Sequence, residues 1–444
     1  MNGRVSNEPA TSPPGSAETN SRAFGGPIDL SIIIPALNEG PNLMLLLPQL
    51  CAEVKSLEVS SEILIVTREI DPETATAADA AGAIVLKQRE RGYGGALVTA
   101  FRAARGAYLL TMDADLSHRP EFIRDLWRSR DSAEVLVASR YVQGGGAQMP
   151  LSRYVLSRVL NLFFGLGLSL RIRDLSSGFR LYKGWAIRQE EFLARDFNIL
   201  QEILVRAYAK GWRVLEVPFE YAPRRHGSSN ARIIRFGLAY LRTFRTLWKL
   251  RNHLECADYD ARAYDSRVPL QRYWQRTRFR HITELIRGGG PVLDVGCGSS
   301  PIVGALPPGS VAVDVSLPKP RYARRFRQAL VQGSAVALPF RNGSFPCVLC
   351  SRVVEDVPKG SPILDELERV LASGGRLVLG TPDYAKWEWV ITKKLCDWLA
   401  PGAREHISHY SCSELVERFE RRGFKLEAVR YILRGELILA FRKA

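Results

Sequence analysis

Short apolar runs alternate with amphipathic stretches through the first half of the chain. Helical periodicity fills residues 41–54, 92–104 and 120–127. The apolar runs have the length of strands and occupy residues 30–35, 62–66, 83–86, 107–112 and 134–138. Strands that alternate with helices in this way predict a doubly wound, mostly parallel α/β sheet.

The fourth apolar run ends abruptly in two carboxylates, Asp113 and Asp115, with a single residue between them. Open α/β sheets bind ligands at the carboxyl ends of their strands, which is where this pair falls. Two carboxylates so close repel each other unless a cation lies between them, and a divalent metal carrying a diphosphate meets that need. The alternative is that Asp113 caps a loop and Asp115 is a solvated turn residue, which the short motif alone favours.

A second sheet is predicted further along the chain. A strand at 291–295 contains Asp294 and runs into a turn with Gly296 and Gly298, and a strand at 311–315 contains Asp314. Glycines let the backbone approach a ligand closely, and an acidic side chain about 20 residues further on suits a pair of ribose hydroxyl groups. A tight structural turn is the alternative.

Composition suggests where the domains begin and end. Residues 1–27 are rich in Ser, Asn, Gly and Pro, which predicts a disordered tail. The run Gly288-Gly-Gly-Pro291 follows a charged helical connector that starts at Arg251. We place the domain boundary near residue 256, so that the two domains are 28–255 and 256–444.

The charge of the chain points to an anionic partner. Of 444 residues, 62 are Lys or Arg and 46 are Asp or Glu, which gives a net charge of +16. Phosphates, an acidic membrane surface or nucleic acid would suit that excess, but no motif interleaves basic and aromatic residues as nucleic-acid binding requires. We therefore expect no nucleic acid as a partner.

The cysteines favour a reducing compartment, and we expect a cytoplasmic protein. There are seven, scattered along the chain, so they do not form a disulfide framework. Cys347 and Cys350 have the spacing of a metal-binding pair but lie in an apolar run without a second pair. A buried strand is the better interpretation of that run.

A membrane surface is a further predicted partner. We expect no signal peptide, because the N-terminus lacks a basic start and an apolar core. We expect no transmembrane helix, because the chain has no run of about 20 apolar residues. Residues 232–251 predict an amphipathic helix with a basic face and an aromatic, apolar face. Together with the apolar segment 155–170 it favours peripheral attachment to a membrane, the alternative being an ordinary helix packed on the domain.

Ordered motifs in residues 28–250 carry a resemblance to a known family. They are Pro35-Ala-Leu-Asn38-Glu39, Arg91-Gly-Tyr-Gly-Gly-Ala96, Met112-Asp-Ala-Asp-Leu-Ser-His118, Ser139-Arg-Tyr-Val142, Asp174-Leu-Ser-Ser-Gly-Phe-Arg180, Gln201-Glu202, Val217-Pro218, Arg224 and Gly227. This half resembles family 2 glycosyltransferases of the GT-A fold, in particular the dolichol-phosphate mannose synthase-like group. That group transfers a sugar from a nucleotide-sugar donor to a polyprenyl phosphate.

The resemblance implies roles for these residues. Asp113 and Asp115 would hold Mg²⁺ or Mn²⁺ and the donor diphosphate and would be catalytic, together with Gln201 and Glu202 near the sugar and acceptor. The residues implied to line the nucleotide-sugar pocket are Pro35, Asn38, Glu39, Gly94, Asp113, Ala114 and Asp115. Those implied to contact phosphate or acceptor are Arg140, Arg180, Arg224 and Ser229. For His118 a loop role and a metal role are both open, and we favour the loop.

The implied reaction is a single displacement that inverts the anomeric centre, because an anionic lipid phosphate needs little help from a general base. Two departures from the family pattern bear on it. Thr67 and Arg68 stand where the family usually has acidic residues that contact the base, so the nucleotide is open. Ser229-Asn230 replaces the usual Ser-Lys, so one phosphate contact differs.

Residues from about 258 to 444 resemble class I (type 11) S-adenosylmethionine-dependent methyltransferases, which have a Rossmann-like fold. Besides the glycine turn, the run Leu338-Pro-Phe-Arg-Asn-Gly-Ser-Phe345 carries the resemblance. It implies that S-adenosyl-L-methionine is bound by Asp294, Gly296, Gly298, Asp314, Ser334 and Ala335. Ser334 replaces the usual Asp, and Glu355-Asp356 replaces the usual Glu-His, which leaves open whether a general base acts there.

His406 and His409 form a further candidate site, with a metal, a substrate contact and a structural loop as interpretations. No third ligand accompanies them, so a metal is the weakest of the three, and a structural loop is favoured over a substrate contact.

The whole chain is predicted to be a bifunctional enzyme that makes a lipid-linked sugar and methylates a related molecule. The alternatives are a polysaccharide or another lipid as acceptor, or one half that is a degenerate binding module.

Overall fold

The structure is a computed structural model that describes residues 26–223, 243–391, 394 and 406–444. Each half of the chain forms its own seven-stranded sheet. Both sheets are mixed, but parallel pairs predominate in each. The predicted α/β class with two domains is therefore confirmed.

The first sheet has the strand order β3-β2-β1-β4-β7-β5-β8. Only β7 runs antiparallel to its neighbours. A two-stranded parallel sheet joins β6 and β9. The strands of this domain are β1 Leu30–Pro35, β2 Ser61–Thr67, β3 Ile84–Lys87, β4 Tyr108–Thr111, β5 Val135–Ser139, β6 Gly146–Ala147, β7 Arg180–Lys183, β8 Val214–Pro218 and β9 Glu220–Tyr221.

Helices cover both faces of this sheet. Along β1, Ile32 and Ile34 point into one apolar core and Ile33 into the other, as the two-residue period of a strand requires. The helices are α1 Gly40–Ser56, α2 Pro72–Ala81, α3 Tyr93–Ala103, α4 Ile123–Arg128, α5 Leu151–Gly167, α6 Gly184–Ile187, α7 Ile199–Ala209 and α8 at 243–251. A 3₁₀ turn at Pro120–Phe122 precedes α4.

The second sheet has the strand order β12-β11-β10-β13-β14-β16-β15. Its last two strands form an antiparallel hairpin beside β14. The strands are β10 Val292–Val295, β11 Val311–Asp314, β12 Ala329–Gln332, β13 Phe345–Ser351, β14 Leu371–Pro382, β15 Phe424–Ile432 and β16 Glu436–Lys443. The helices are α9 Tyr259–Tyr264, α10 Pro269–Ile286, α11 Ile302–Ala305, α12 Pro318–Ala323, α13 Ile363–Val370, α14 at 387–391 and α15 Cys412–Glu420.

A buried ion pair fastens the connector between the two sheets. The guanidinium of Arg251, at the end of α8, is fully buried and pairs with both carboxylate oxygens of Asp258. It also donates to the carbonyl oxygens of Leu168 and Ser169 in the first domain. The boundary predicted near residue 256 falls between α8 and α9 and stays a prediction.

The structure bears on two segments for which the sequence left two interpretations, the run with Cys347 and Cys350 and the helix at 232–251. Cys347 and Cys350 are fully buried in β13, so the prediction of a strand there is confirmed. Of the amphipathic helix predicted at 232–251, residues 232–242 lie outside the described part. In α8, Leu247 is buried and Phe244 and Trp248 pack against the core, so these described residues fit the alternative of a packed helix.

Candidate active sites

The carboxylates of Asp113 and Asp115 follow β4 at the carboxyl edge of the first sheet. Asp115 is nearly buried, and its Oδ1 accepts hydrogen bonds from the Ser117 backbone N–H at 3.1 Å and hydroxyl at 2.5 Å. The Asp113 side chain is 31% exposed, and its Oδ1 accepts from the Tyr93 hydroxyl at 3.4 Å. Asp113 therefore faces the surface while Asp115 anchors the turn behind it.

His118 supports this turn from inside the domain. Its ring is buried and stacks on Phe179 at 4.8 Å. Nδ1 accepts a hydrogen bond from the Asp113 backbone N–H at 2.8 Å, and Nε2 lies 3.7 Å from Asp113 Oδ2. These contacts agree with the loop role favoured from the sequence and make His118 a positioning residue for Asp113.

Gly178 is a site residue to which sequence reasoning gave no role of its own. A Cβ atom at this position would lie 2.6 Å from the Tyr93 hydroxyl and 3.3 Å from Asp113 Oδ1. The Gly178 carbonyl accepts a hydrogen bond from the Thr111 hydroxyl at 2.7 Å, which ties it to β4. Its position in the motif from Asp174 to Arg180 was the sequence signal that could have identified it as a site residue.

The residues present fit a divalent metal that is shared with a substrate. Among the described residues no group of three or more His, Cys, Asp or Glu side chains could hold an ion on its own. Mg²⁺ is commonly held by one or two carboxylates while substrate phosphates and water complete its shell. Asp113 and Asp115 match that arrangement.

The other residues predicted to line the nucleotide-sugar pocket lie around the same edge. Pro35 ends β1, and Asn38 is exposed with a positive φ of 57° in the turn that follows. Glu39 accepts a hydrogen bond from Asn42 at 2.5 Å. A Cβ on Gly94 would lie 2.7 Å from the Arg195 backbone, so this glycine is required by close packing. Ala114, between the two carboxylates, is buried.

The second sheet gathers another acidic pair at its carboxyl edge. Asp294 lies in β10 and Asp314 ends β11, and both are almost fully buried. Asp314 accepts hydrogen bonds from the backbone N–H groups of Gly298 and Ser316, each at 2.8 Å. Gly296 has a φ of 73°, which a residue with a Cβ rarely adopts.

The electrostatics of this pair suit a ligand with a positive group. Burial and the neighbouring Asp314 raise the pKa of Asp294 to about 7. A cationic group placed beside the two carboxylates would relieve both the desolvation and the repulsion. S-adenosylmethionine carries a sulfonium and an ammonium group as well as ribose hydroxyls, so these residues fit the predicted cofactor.

Further residues complete the surroundings of the glycine turn. Ser334 and Ala335 begin the turn after β12, where the Ser334 hydroxyl accepts from the Val336 backbone at 3.4 Å. Asp260, from α9, accepts from the Ser299 backbone at 3.0 Å and pairs with Lys319 at 3.3 Å. Sequence reasoning missed Asp260, because nothing in the sequence signals that the connector reaches this turn.

Two family models match the chain in the regions of these sites. Residues 31–190 match the model described as glycosyl transferase family 2. Residues 293–379 match a model described as a methyltransferase domain. The chain carries a family 2 glycosyltransferase domain followed by a methyltransferase domain. The resemblances drawn from the motifs are thereby confirmed.

Curated relatives match the glycosyltransferase half. The chain is 30% identical over 210 residues to a dolichol-phosphate mannosyltransferase from Pyrococcus furiosus, which covers 45% of this chain and 58% of the relative. It is also 30% identical over 211 residues to the low-salt glycan biosynthesis hexosyltransferase Agl6 from Haloferax volcanii, covering 45% of this chain and 49% of that one. The chain thus spans about half the length of the curated relatives it matches.

Solved structures resemble each half at low similarity. A glucosyl-3-phosphoglycerate synthase from Mycobacterium tuberculosis covers 52% of this chain and 80% of its own at 16% identity, with a TM-score of 0.38. A methyltransferase from Thermotoga maritima covers 39% of this chain and 94% of its own at 19% identity, with a TM-score of 0.33. Likenesses of this size carry no weight for function.

Arg140, predicted to contact phosphate, is held by a carboxylate of its own domain. Its Nε and Nη2 donate to the two oxygens of Asp174 at 2.7 and 2.8 Å, and Nη2 also donates to Ser176 at 2.7 Å. The side chain is 11% exposed. Arg140 therefore fixes the loop 174–178 to the end of β5, and a phosphate contact stays a prediction.

Arg180, predicted to contact phosphate or acceptor, lies in the interior of the first domain. It is fully buried, and its three nitrogens donate to the carbonyl oxygens of Ser177, Leu200 and Leu175 at 2.7 to 2.8 Å. A guanidinium in this position does not reach a phosphate at the surface. Arg180 instead links the loop 174–178 to the start of α7.

Gln201 and Glu202, predicted to be catalytic, lie in the first turn of α7 and are buried. The Glu202 carboxylate accepts from the Leu193 and Ala194 backbone at 2.8 to 3.0 Å and pairs with Arg206 at 2.7 Å. These contacts favour a positioning role for Glu202, and the catalytic role stays a prediction. Arg224 and Ser229 lie outside the described residues.

Proposed function

We propose that the glycosyltransferase domain transfers a sugar from a nucleotide-sugar to a polyprenyl phosphate with inversion, and that the methyltransferase domain methylates the lipid-linked sugar or a related molecule. The chain would act as a peripheral protein at a membrane surface. The name of the Pyrococcus furiosus relative, a dolichol-phosphate mannosyltransferase, supports a lipid phosphate as acceptor.

The observation that carries this proposal is an exposed apolar helix joined to the carboxylate turn. Eight large apolar side chains of α5 are exposed, and they are Leu151, Val155, Leu156, Val159, Leu160, Leu162, Phe163 and Leu166. Arg153 and Arg158 are exposed on the same helix. Apolar side chains with neighbouring basic residues suit the boundary between lipid tails and anionic headgroups. Among the helices of the described residues, none combines the length and hydropathy needed to cross a bilayer.

An open groove of about 380 Å³ lies beside α5 and suits a lipid chain. Its lining combines apolar side chains with two arginines, and includes Arg158, Val159, Leu162, Leu166, Ile172 and Arg173. An apolar wall with cations beside it matches an isoprenoid chain that ends in a phosphate.

The loop 174–178 connects this groove to the carboxylates. Asn161 of α5 accepts a hydrogen bond from the Leu175 backbone at 2.9 Å, and its amide lies 3.2 Å from the Ser176 hydroxyl. At the other end of the loop, Gly178 packs against Asp113 and Tyr93. A lipid held at α5 would therefore have its phosphate near the donor site.

The residues of the chain would mainly align and stabilise charge. Asp113 and Asp115 would hold the metal, which would neutralise the leaving diphosphate when bound. The acceptor phosphate is already anionic, so alignment contributes more than proton removal. In the second domain, Gly298 and Asp314 would hold the methyl donor in place, and S-adenosylmethionine would supply an activated methyl group.

Mass spectrometry of the lipid product tests the proposal. The protein is incubated with polyprenyl phosphate, a panel of nucleotide-sugars, Mg²⁺ or Mn²⁺, and S-adenosylmethionine. We expect a lipid that gains a hexose-like mass, and then a methyl mass when the methyl donor is present. Absence of any glycosylated lipid with every donor would contradict the first half of the proposal.

A further inference from the structure

The methyltransferase domain has a polar cluster beside its glycine turn that the cofactor residues do not use. Arg352 directly follows β13, and Tyr384 lies two residues after β14. The Val353 side chain comes within 2.1 Å of where a Cβ on Gly296 would lie, so this segment packs directly on the turn. The cluster therefore occupies the carboxyl edge next to the cofactor site, where α/β sheets take their ligands.

Three side chains of the cluster form a directed chain of hydrogen bonds. Arg352 Nη2 lies 3.3 Å from His406 Nε2, and the Tyr384 hydroxyl contacts His406 Nδ1. Because a guanidinium only donates, Nε2 must accept, and a neutral His406 then carries its proton at Nδ1 and donates to the Tyr384 oxygen. The hydroxyl proton of Tyr384 is thereby directed to another acceptor, such as an oxygen of a ligand.

The aromatic rings hold this chain in a fixed geometry. His406 stacks on Trp389 with ring centroids 5.8 Å apart, and Trp389 is only 2% exposed. His409 stacks on Tyr384 at 4.1 Å. Glu355, buried beneath the cluster, lies 3.2 Å from Arg352 Nε. The polar end of the cluster is therefore packed between aromatic rings on one side and an ion pair on the other.

An apolar surface lies directly beside these polar groups. Trp387, Val390 and Ile391 of α14 are 68%, 55% and 59% exposed, and Ile407, next to His406, is 62% exposed. Their spacing puts the three α14 residues on one side of the helix, while Trp389 turns inward. An exposed apolar patch next to a polar site marks a place where an amphiphilic partner binds.

Basic residues flank the same helix. Lys386 precedes α14 and is exposed, and the Arg434 side chain is 84% exposed and lies 3.9 Å from Glu388 of α14. Their charge complements an anionic group that lies between a polar head and an apolar chain. A phosphate in a lipid-linked sugar has that place.

We propose that the methyltransferase domain takes a lipid-linked phosphoglycoside as its methyl acceptor, with the sugar against Tyr384 and Arg352 and the lipid chain over Trp387, Val390, Ile391 and Ile407. The inference rests on the proposed function, because the first domain would make such a molecule. It selects a lipid-linked acceptor over a soluble small molecule and gives that acceptor a binding surface.

Photo-crosslinking of the full chain tests this inference with a readout other than activity. The probe is a polyprenyl phosphohexose with a diazirine in its lipid chain, presented in vesicles of phosphatidylcholine and phosphatidylglycerol. Labelled residues are mapped by mass spectrometry. We expect labelling at 387–391 and at Ile407, reduced about tenfold when Val390→Ser and Ile391→Ser are combined. Val429→Ser, which changes an exposed residue of β15, is the matched control and should leave the labelling unchanged.

The outcomes separate this inference from the proposed function. Labelling confined to the glycosyltransferase domain, with intact binding of S-adenosylmethionine in calorimetry, would overturn the inference and leave the proposed function standing. Labelling of α14 that the double variant does not reduce would also overturn it. If neither domain is labelled and no glycosylated lipid forms, both proposals fail.

The polar end has its own test in Tyr384→Phe, which keeps the ring stacked on His409 and removes only the hydroxyl. We expect the KM for the lipid-linked acceptor to rise about tenfold, with kcat changed by less than about twofold and cofactor affinity unchanged. An unchanged KM would show that the Tyr384 hydroxyl does not contact the acceptor and would overturn that part of the inference.

Discussion

The two domains hold their predicted aspartate pairs in opposite surroundings. Asp113 and Asp115 lie in one turn after a single strand, where hydroxyl groups and a backbone N–H hold them and one of them faces the surface. Asp294 and Asp314 belong to adjacent parallel strands, where Asp294 pairs with Ala312 two positions before Asp314, and both are buried.

This difference matches the two kinds of ligand proposed for the domains. A turn with one exposed carboxylate and a second one buried just behind it suits a hard divalent cation that arrives with a diphosphate. A buried pair cannot keep both charges without help, and the raised pKa of Asp294 reflects that cost. Such a pair suits an organic ligand that carries positively charged groups together with hydroxyl groups.

The largest expected effect is on the exposed turn. Asp115→Asn should lower sugar transfer to the lipid about 100-fold or more, because it removes a charge that stabilises the metal and the leaving diphosphate. Product formation is followed by mass spectrometry. Asp125→Asn, at an exposed position of α4, is the control. Binding of S-adenosylmethionine should be unaffected in both variants, and full transfer by Asp115→Asn would contradict the metal assignment.

A glycine tests whether that turn depends on tight packing. Gly178→Ala should reduce sugar transfer by about 10- to 100-fold, since its Cβ would displace the Tyr93 hydroxyl or Asp113. Gly146→Ala, whose Cβ would meet no atom closer than 3.7 Å, serves as the comparison. Equal initial rates for the two variants would mean that the position of Asp113 is not critical.

A change in the buried aspartate pair should weaken binding of the methyl donor without affecting sugar transfer in the first domain. Asp314→Asn should weaken S-adenosylmethionine binding about tenfold, because a charged acceptor for ribose hydroxyls is lost. Isothermal titration calorimetry measures the affinity, and sugar transfer is assayed in parallel. Asp365→Asn, which is exposed on α13, is the control. Loss of sugar transfer in Asp314→Asn would show that the two sites are coupled.

The smallest expected effect is on the way the free energy of unfolding changes with pH. Because the pKa of Asp294 is raised from 3.8 to about 7, the folded protein binds this proton more tightly than the unfolded chain does. The free energy of unfolding should therefore fall as the pH rises from about 4 to 7. Asp294→Asn should remove part of that decline, about 2 to 4 °C in Tm, measured by scanning calorimetry of both proteins at several pH values. If Tm changes with pH by the same amount in the two proteins, Asp294 is not a buried, protonated group.

Local pattern was sufficient to locate the strands that carry the aspartates. The predictions for β4, β10 and β11 differ from the observed strands by one residue at one or both ends. Buried parallel strands are apolar on both faces and therefore stand out as continuous runs. The glycine turn at Gly296 and Gly298 was recognised because its chemistry lies within a few consecutive residues.

What the sequence by itself determined about this protein is the two-domain α/β organisation and the acidic strand ends, since these depend on periodicity and on residues close together in the chain. Only the tertiary structure decided that Arg180 is buried against three carbonyl groups, that Glu202 holds the loop at 193–194, and that eight apolar side chains of α5 stay exposed in the described part of the chain. Each of these depends on which distant segments fold back over the sheet. The residue type of an arginine or a leucine does not tell whether its side chain contacts a ligand, the core or the solvent.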